Sequence, residues 1–215
     1  MDGAWGDWYH CTAHTYGAWL PGSELGHRER HHREHVEGDY RHRPAESDRE
    51  QLERSRRLMK RGVVWLPMEA RREACRLIAE ALRYHKVEFA ELVVTAMHLH
   101  LLARFPPSPD LISKLIRQRQ ASRRYKPQSP SSPNDGPVIH VRNPLPRYYL
   151  GKAKSWCTTQ FQKQGLEPCP PRGLGGLWAR RSKIEPVRDA AHFGNVGPYI
   201  RRHKDREGGV LASEA

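Results

Sequence analysis

Met97-His98-Leu99-His100-Leu101-Leu102 is the stretch whose conformation decides how the rest of the chain is read. In an extended strand, successive side chains alternate between faces, so His98 and His100 point the same way. Their Cα atoms then lie about 6.5–7 Å apart, a spacing at which two imidazoles can converge on one ion. Met97, Leu99 and Leu101 fall on the opposite face and supply a core. On a helix the two rings would stand about 200° apart and could not share a ligand. A pair of surface or half-buried strand histidines satisfies the same short pattern, so the motif alone leaves the metal reading open.

Working outward, Val87–Phe105 is rich in β-branched and apolar residues and is closed by Pro106-Pro107. It reads as two strands with a tight connection near Thr95–Met97. Upstream, Met68–Tyr84 has helical period, with Ala74, Leu77, Ile78, Ala81 and Leu82 on one face and Glu69 in the first turn after Pro67. Residues 8–20 read as an aromatic- and Thr-rich strand ending at Pro21-Gly22. Residues 23–62 are mostly charged, with His27, Arg28, His31, His32 and His35, and read as a solvated basic loop. Residues 108–147 read as an irregular insertion that opens with a short basic helix over 110–120. Its Lys126–Pro137 segment is rich in Pro and Ser. Tyr149–Phe161 is helical in character, 166–176 is a Gly/Pro loop, 177–187 is a strand or extended arm, and 188–204 is a final helix before Gly208-Gly209. This order is not a regular βαβ series. It predicts an α+β chain in which helices flank an antiparallel sheet, with residues 1–215 forming a single domain.

The 215 residues carry 37 Lys and Arg against 24 Asp and Glu, a net charge of +13. A balance that basic favours a polyanionic partner, because each cation placed at a phosphate releases condensed counterions. No run approaches the ~18 apolar residues of a membrane span, and Met1-Asp2-Gly3-Ala4 does not begin a secretory signal. Cys11, Cys75, Cys157 and Cys169 are scattered and form no C-x-x-C pair, so neither a zinc site nor a disulfide framework is indicated. A reducing cytoplasm is the expected compartment.

Near the end lies Val196-Gly197-Pro198-Tyr199-Ile200-Arg201-Arg202-His203-Lys204. On a helix Tyr199 and His203 are one turn apart and share a face, with Ile200 turned to the core. Arg201, Arg202 and Lys204, together with Lys152 and Lys154 on the preceding basic helix, are the expected phosphate contacts. Gly197-Pro198 is expected to kink the helix or begin it. Tyr148 and Tyr149, beside the other basic helix, are the competing tyrosines.

A mid-chain strand with H-x-H and a Tyr-bearing helix near the end resemble the single-tyrosine HUH transposases, in particular the REP-associated tyrosine transposases. Leu92–Leu102 is similar to that family's strand–turn–strand, with a turn one or two residues tighter. The resemblance implies an RRM-like antiparallel sheet and a divalent ion, Mg²⁺ or Mn²⁺, held by His98, His100 and His203. It implies Tyr199 as the nucleophile in nicking and rejoining single-stranded DNA, hairpin-containing DNA included, and allows a homodimer. The other readings are a DNA- or RNA-binding module of the same fold without chemistry, domesticated relatives included, and a metal hydrolase that does not use Tyr199.

Overall fold

The computed structural model describes residues 7–20, 46–121, 143–171 and 173–213. Among the described residues, five antiparallel strands form one sheet: β1 (Trp8–Thr15), β2 (Glu88–Val94), β3 (His98–Arg104), β4 (Trp178–Pro186) and β5 (Val210–Ser213), in the order β4-β1-β3-β2-β5. The described helices are α1 (Glu46–Arg57), α2 (Met68–Tyr84), α3 (Pro109–Ala121), α4 (Leu145–Gln164) and α5 (Ala190–Glu207). The architecture is α+β, as the sequence predicts.

Alternation along the strands sorts the sheet into two faces. Cys11 and Ala13 on β1 pair with Leu101 and Leu99 on β3, which in turn pair with Leu92 and Val94 on β2. These residues are buried in the main core with Ala74, Leu77, Ile78 and Leu82 of α2 and Leu150, Ala153, Cys157 and Phe161 of α4. The other face is covered in part by α5. Its Val196 and Ile200 bury against Val93, Leu102, Trp8 and Val187 in a second, smaller core.

One stretch expected to be a loop contains a helix, and the short basic helix expected over 110–120 is present. The charged 23–62 segment includes α1, and the 108–147 segment opens with α3 and ends in the first turn of α4. Helix α1, Glu-Ser-Asp-Arg-Glu-Gln-Leu-Glu-Arg-Ser-Arg-Arg, has almost no apolar stripe for a periodicity argument to find. The His27–His35 cluster and Lys126–Pro137 lie outside the described residues. The first strand ends at Thr15, not at Pro21, because the chain turns at Gly17, where φ is +75°. Strand β5 was not anticipated from the sequence.

Helix α5 neither starts nor ends at Pro198. Asp189 caps its start by accepting from the His192 N–H at 2.7 Å, and Pro198 sits in the interior. A proline there clashes with the carbonyl four residues back and removes one N–H. The residue four back is Gly194, which lacks a side chain to add to the crowding. The helix closes on Gly208 in the left-handed region, φ +58°. At Gly209 a Cβ would fall 2.7 Å from Val93 Cγ2 and 3.0 Å from the His203 carbonyl oxygen. The glycine pair therefore lets the end of α5 lie directly on β2.

Candidate metal centre and nucleophile

His98 and His100 stand on β3 on the face that α5 covers, and α5 brings His203 down onto them. One ligand atom from each of His98, His100 and His203 lies within 4.8 Å of the others. Ring centroids are 4.9 Å apart for His98 and His100, 5.1 Å for His98 and His203, and 4.4 Å for the stacked pair His100 and His203. Tyr199 lies one turn before His203. Its ring meets those of His203 and His100 edge-on at 5.0 and 5.3 Å, and it remains 39% exposed. Val196, Ile200, His203 and Glu207 follow one helical stripe, so the apolar contacts of the first two fix the aim of the others.

The Nδ1 atom of each of the three rings already has a partner. His98 Nδ1 lies 3.2 Å from Thr95 Oγ1, whose oxygen also accepts the His98 N–H at 3.2 Å and so shapes the tight β2–β3 turn. His100 Nδ1 lies 3.1 Å from Thr12 Oγ1 and 3.1 Å from His10 Nε2. His203 Nδ1 lies 2.8 Å from Glu207 Oε1. A ring that uses Nδ1 as its donor in these contacts has Nε2 as its lone-pair atom, one of the two nitrogens by which a histidine binds a metal. His98 Nε2 is buried and has no hydrogen-bond partner. A buried polar atom without a partner costs about 1–3 kcal/mol, which marks it as a site for something else to bind.

Protonation follows the same pattern. Burial, then the neighbouring His98 and His203, pushes His100 down to about 2, and burial lowers His98 against the opposing pull of Glu207. Both rings are neutral at pH 7 and can bind a cation without first losing a proton. The residues therefore fit a divalent ion held by three imidazoles.

Strand β1 contributes residues that the sequence reading did not assign. His10, Thr12 and His14 pair with Leu102, His100 and His98, and they face the same side. Burial drives His10 and His14 each down to about 4. His10 stacks on His100 at 5.2 Å and meets Tyr199 edge-on at 5.8 Å. His14 lies 6.1 Å from His98 and 5.0 Å from Trp19, an indole left 44% exposed. The signal was present in the sequence: His10-Cys11-Thr12-Ala13-His14 alternates as His98-Leu99-His100 does.

The basic residues expected to contact phosphate separate. Lys152 and Lys154 belong to α4, on the far side of the sheet from the histidines. Lys152 is exposed, with its ammonium 5.5 Å from the Tyr148 ring centre. Lys154 is buried and donates to the Ala179 carbonyl at 2.7 Å and to Ser182 Oγ at 3.0 Å. It is thus engaged in holding α4 on β4. Arg201 is ion-paired with Glu91, a carboxylate only 6% exposed, and so fastens α5 to β2. Arg202 and Lys204 are exposed on α5, and the Arg202 guanidinium lies 6.0 Å from the Tyr199 ring centre. Lys183 on β4, paired with Thr12, adds an exposed cation on the histidine side. All four cysteines are free thiols. Among the described residues no helix is long and apolar enough to cross a membrane.

The fold and site together define an α+β protein with a three-histidine centre and a tyrosine on the lip of it. No family model matches the chain, and no curated protein is found to be similar to it. Among solved structures, the chain is similar to that of a REP-associated tyrosine transposase bound to a REP hairpin. The identity is 13% and the TM-score 0.39, over 94% of this chain and 69% of that one. At that level of likeness, the chemistry of this chain rests on its own residues.

Proposed function

We propose that this protein nicks and rejoins single-stranded DNA by transesterification through Tyr199, assisted by a divalent ion on His98, His100 and His203. The observation that carries the reading is the packing of a partly exposed tyrosine ring against three clustered imidazoles, two from a strand and one from the tyrosine's own helix. A phenol set among metal-ligating histidines and beside a guanidinium is suited to phosphoryl transfer, where positioning and charge neutralisation do most of the work. The resemblance of the H-x-H strand and the Tyr-bearing helix to the single-tyrosine HUH transposases supports the same chemistry.

In this reading the Tyr199 oxygen attacks the scissile phosphorus and its proton passes to solvent or to the neutral His10 ring beside it. The P–O3′ bond breaks, leaving a 5′-phosphotyrosine, and the departing O3′ takes a proton from solvent to become a free 3′-OH. Attack by a 3′-OH on that linkage reverses the step, so no external energy source is required. When bound, the divalent ion supplies Lewis-acid polarisation of the phosphoryl oxygens and offsets their developing charge. Arg202, next to the phenol, binds the backbone phosphate, and Ile200 and Val196 hold the helix so that Tyr199 does not swing away.

The test is a denaturing gel after incubation with single-stranded oligonucleotides, hairpins among them, and Mn²⁺. A covalent protein–DNA species should form with the wild type and vanish in Tyr199→Phe, which keeps the ring and removes only the oxygen. Binding without any adduct would make the chain a binding module. Cleavage that survives in Tyr199→Phe would make it a hydrolase.

A further inference from the structure

The geometry points to Glu207 as a fourth, oxygen ligand of the ion, an inference that rests on the metal reading above. Glu207 lies one turn beyond His203 on the stripe that faces the sheet. Its two carboxylate oxygens do different things. Oε1 accepts from His203 Nδ1 at 2.8 Å, while Oε2 stands 3.6 Å from His98 Nε2. That second distance is too long for a hydrogen bond. It suits two donors sharing one ion, since neighbouring ligands with bonds of about 2.0–2.2 Å lie roughly 3–3.5 Å apart. The atom it faces, His98 Nε2, is the buried ring nitrogen with no hydrogen-bond partner.

The backbone under Glu207 is fixed in a way that a solvent-facing helix end does not need. Arg71 Nη1 of α2 donates to the Glu207 carbonyl at 3.1 Å and to the Gly208 carbonyl at 2.8 Å. Gly208 adopts its left-handed cap immediately afterwards, and the Gly209 N–H returns to the His203 carbonyl at 3.2 Å. His203 and Glu207 are therefore held by one rigid turn. The three histidine ligand atoms already lie together, and the side chain of Glu207, 41% exposed, has space to turn toward them.

A carboxylate also changes which ion the site prefers. Three imidazoles alone suit Zn²⁺ and later transition metals, whereas an anionic oxygen ligand favours Mn²⁺ and Mg²⁺. The protein would then offer three nitrogens and one oxygen, and phosphate oxygens of the substrate would complete the ion's coordination. Glu207 thus selects a hard, phosphate-binding metal.

The experiment is titration of the full chain with CoCl₂, followed by visible absorption, and with MnCl₂, followed by calorimetry. Wild type, Glu207→Ala and Glu207→Gln are compared, with circular dichroism to confirm folding. Loss of a ligand should change the Co²⁺ band shape and intensity in Glu207→Ala. It should also weaken Mn²⁺ binding by about 100-fold or more, beyond the ~10–100-fold typical of losing a partner that only orients a ligand. Glu207→Gln, which keeps an acceptor for His203 but no charge, should still lose at least about tenfold. A Co²⁺ spectrum unchanged in Glu207→Ala, or full Mn²⁺ affinity in Glu207→Gln, would overturn the assignment while leaving the three-histidine site intact. A wild-type chain that binds neither ion would overturn the metal reading itself, and Glu207 with it.

Discussion

The same strands present two faces of opposite chemistry. On one, Cys11, Ala13, Leu92, Val94, Leu99 and Leu101 bury fully against α2 and α4. On the other, one residue away along each strand, stand His10, Thr12, His14, His98 and His100, with a small apolar group that includes Trp8, Val93 and Leu102 packed under α5. Strand period makes this possible, because a shift of one residue exchanges the faces completely. The apolar face gains its stability by removing hydrocarbon from water, at about 25 cal/mol per Å². The histidine face does the reverse: it buries imidazoles, holds them neutral and leaves His98 Nε2 and His14 Nδ1 without partners. The difference teaches that the sheet's stability and its chemistry are borne by separate faces, so each can be damaged without the other.

The largest separation should come from neighbouring residues on β3. His100→Ala should cut Mn²⁺ affinity by more than about 100-fold in calorimetry, while its unfolding midpoint in EDTA stays near that of the wild type. Leu101→Ala, on the apolar face, should cost about 2–5 kcal/mol in denaturant unfolding and leave metal affinity in the folded fraction unchanged. Parallel losses in both measurements for both variants would break the two-face description.

Charge reversal probes which face meets DNA. Lys183→Glu combined with Arg202→Glu should weaken single-strand binding across sequences. The slope of log K against log salt should flatten by roughly 1.4, at ~0.7 per lost phosphate contact. Lys152→Glu, on the α4 side, should leave the slope unaltered. If Lys152 carries the salt dependence instead, the DNA runs over the helical layer and not past the histidines.

Lys154 gives the smallest effect and a defined sign. Burial lowers its ammonium from 10.5 to about 8. Between those values the unfolded chain holds more protons than the folded one, so stability from this group rises as pH rises from about 8 to 10.5. Below pH 8 the full penalty for burying the charged form is present. Denaturant unfolding at pH 7 and pH 10 should therefore show an increment on the order of 1–3 kcal/mol in the wild type that is missing in Lys154→Met. An equal increment in both would assign the pH dependence to other groups.

Much of this arrangement is legible in the sequence where the governing forces are local. Helix α2 spans Met68–Tyr84 as its apolar period predicts, and β2 and β3 flank a turn at Thr95–Met97 as their β-branched runs predict. The common face of His98 and His100 follows from strand alternation, and the nearness of Tyr199 to His203 follows from helical period. What escapes is what only tertiary structure decides. Val210–Ser213 is too short to announce a strand and becomes one because β2 offers it an edge. The charge on Lys154 gives no hint that it faces β4, since a helix places lysines on any side. Strand β1 is separated from β3 by more than eighty residues, so its histidines belong to the site only through pairing. Glu207 is one turn beyond His203 and was within reach of the same periodic reasoning.

Two regions also compete for the nucleophile, and they lie on opposite faces. Tyr199 sits with the histidines, whereas Tyr148 and Tyr149 belong to α4, where Tyr149 is buried and stacked on Phe105. The most direct measurement is mass spectrometry of the nucleotide–peptide recovered after protease and nuclease digestion of the chain trapped with single-stranded DNA and Mn²⁺. The phosphonucleotide should map to Tyr199, and the species should be absent from Tyr199→Phe. A nucleotide on the peptide that holds Tyr148 and Tyr149 would place the chemistry on the other face and contradict the account.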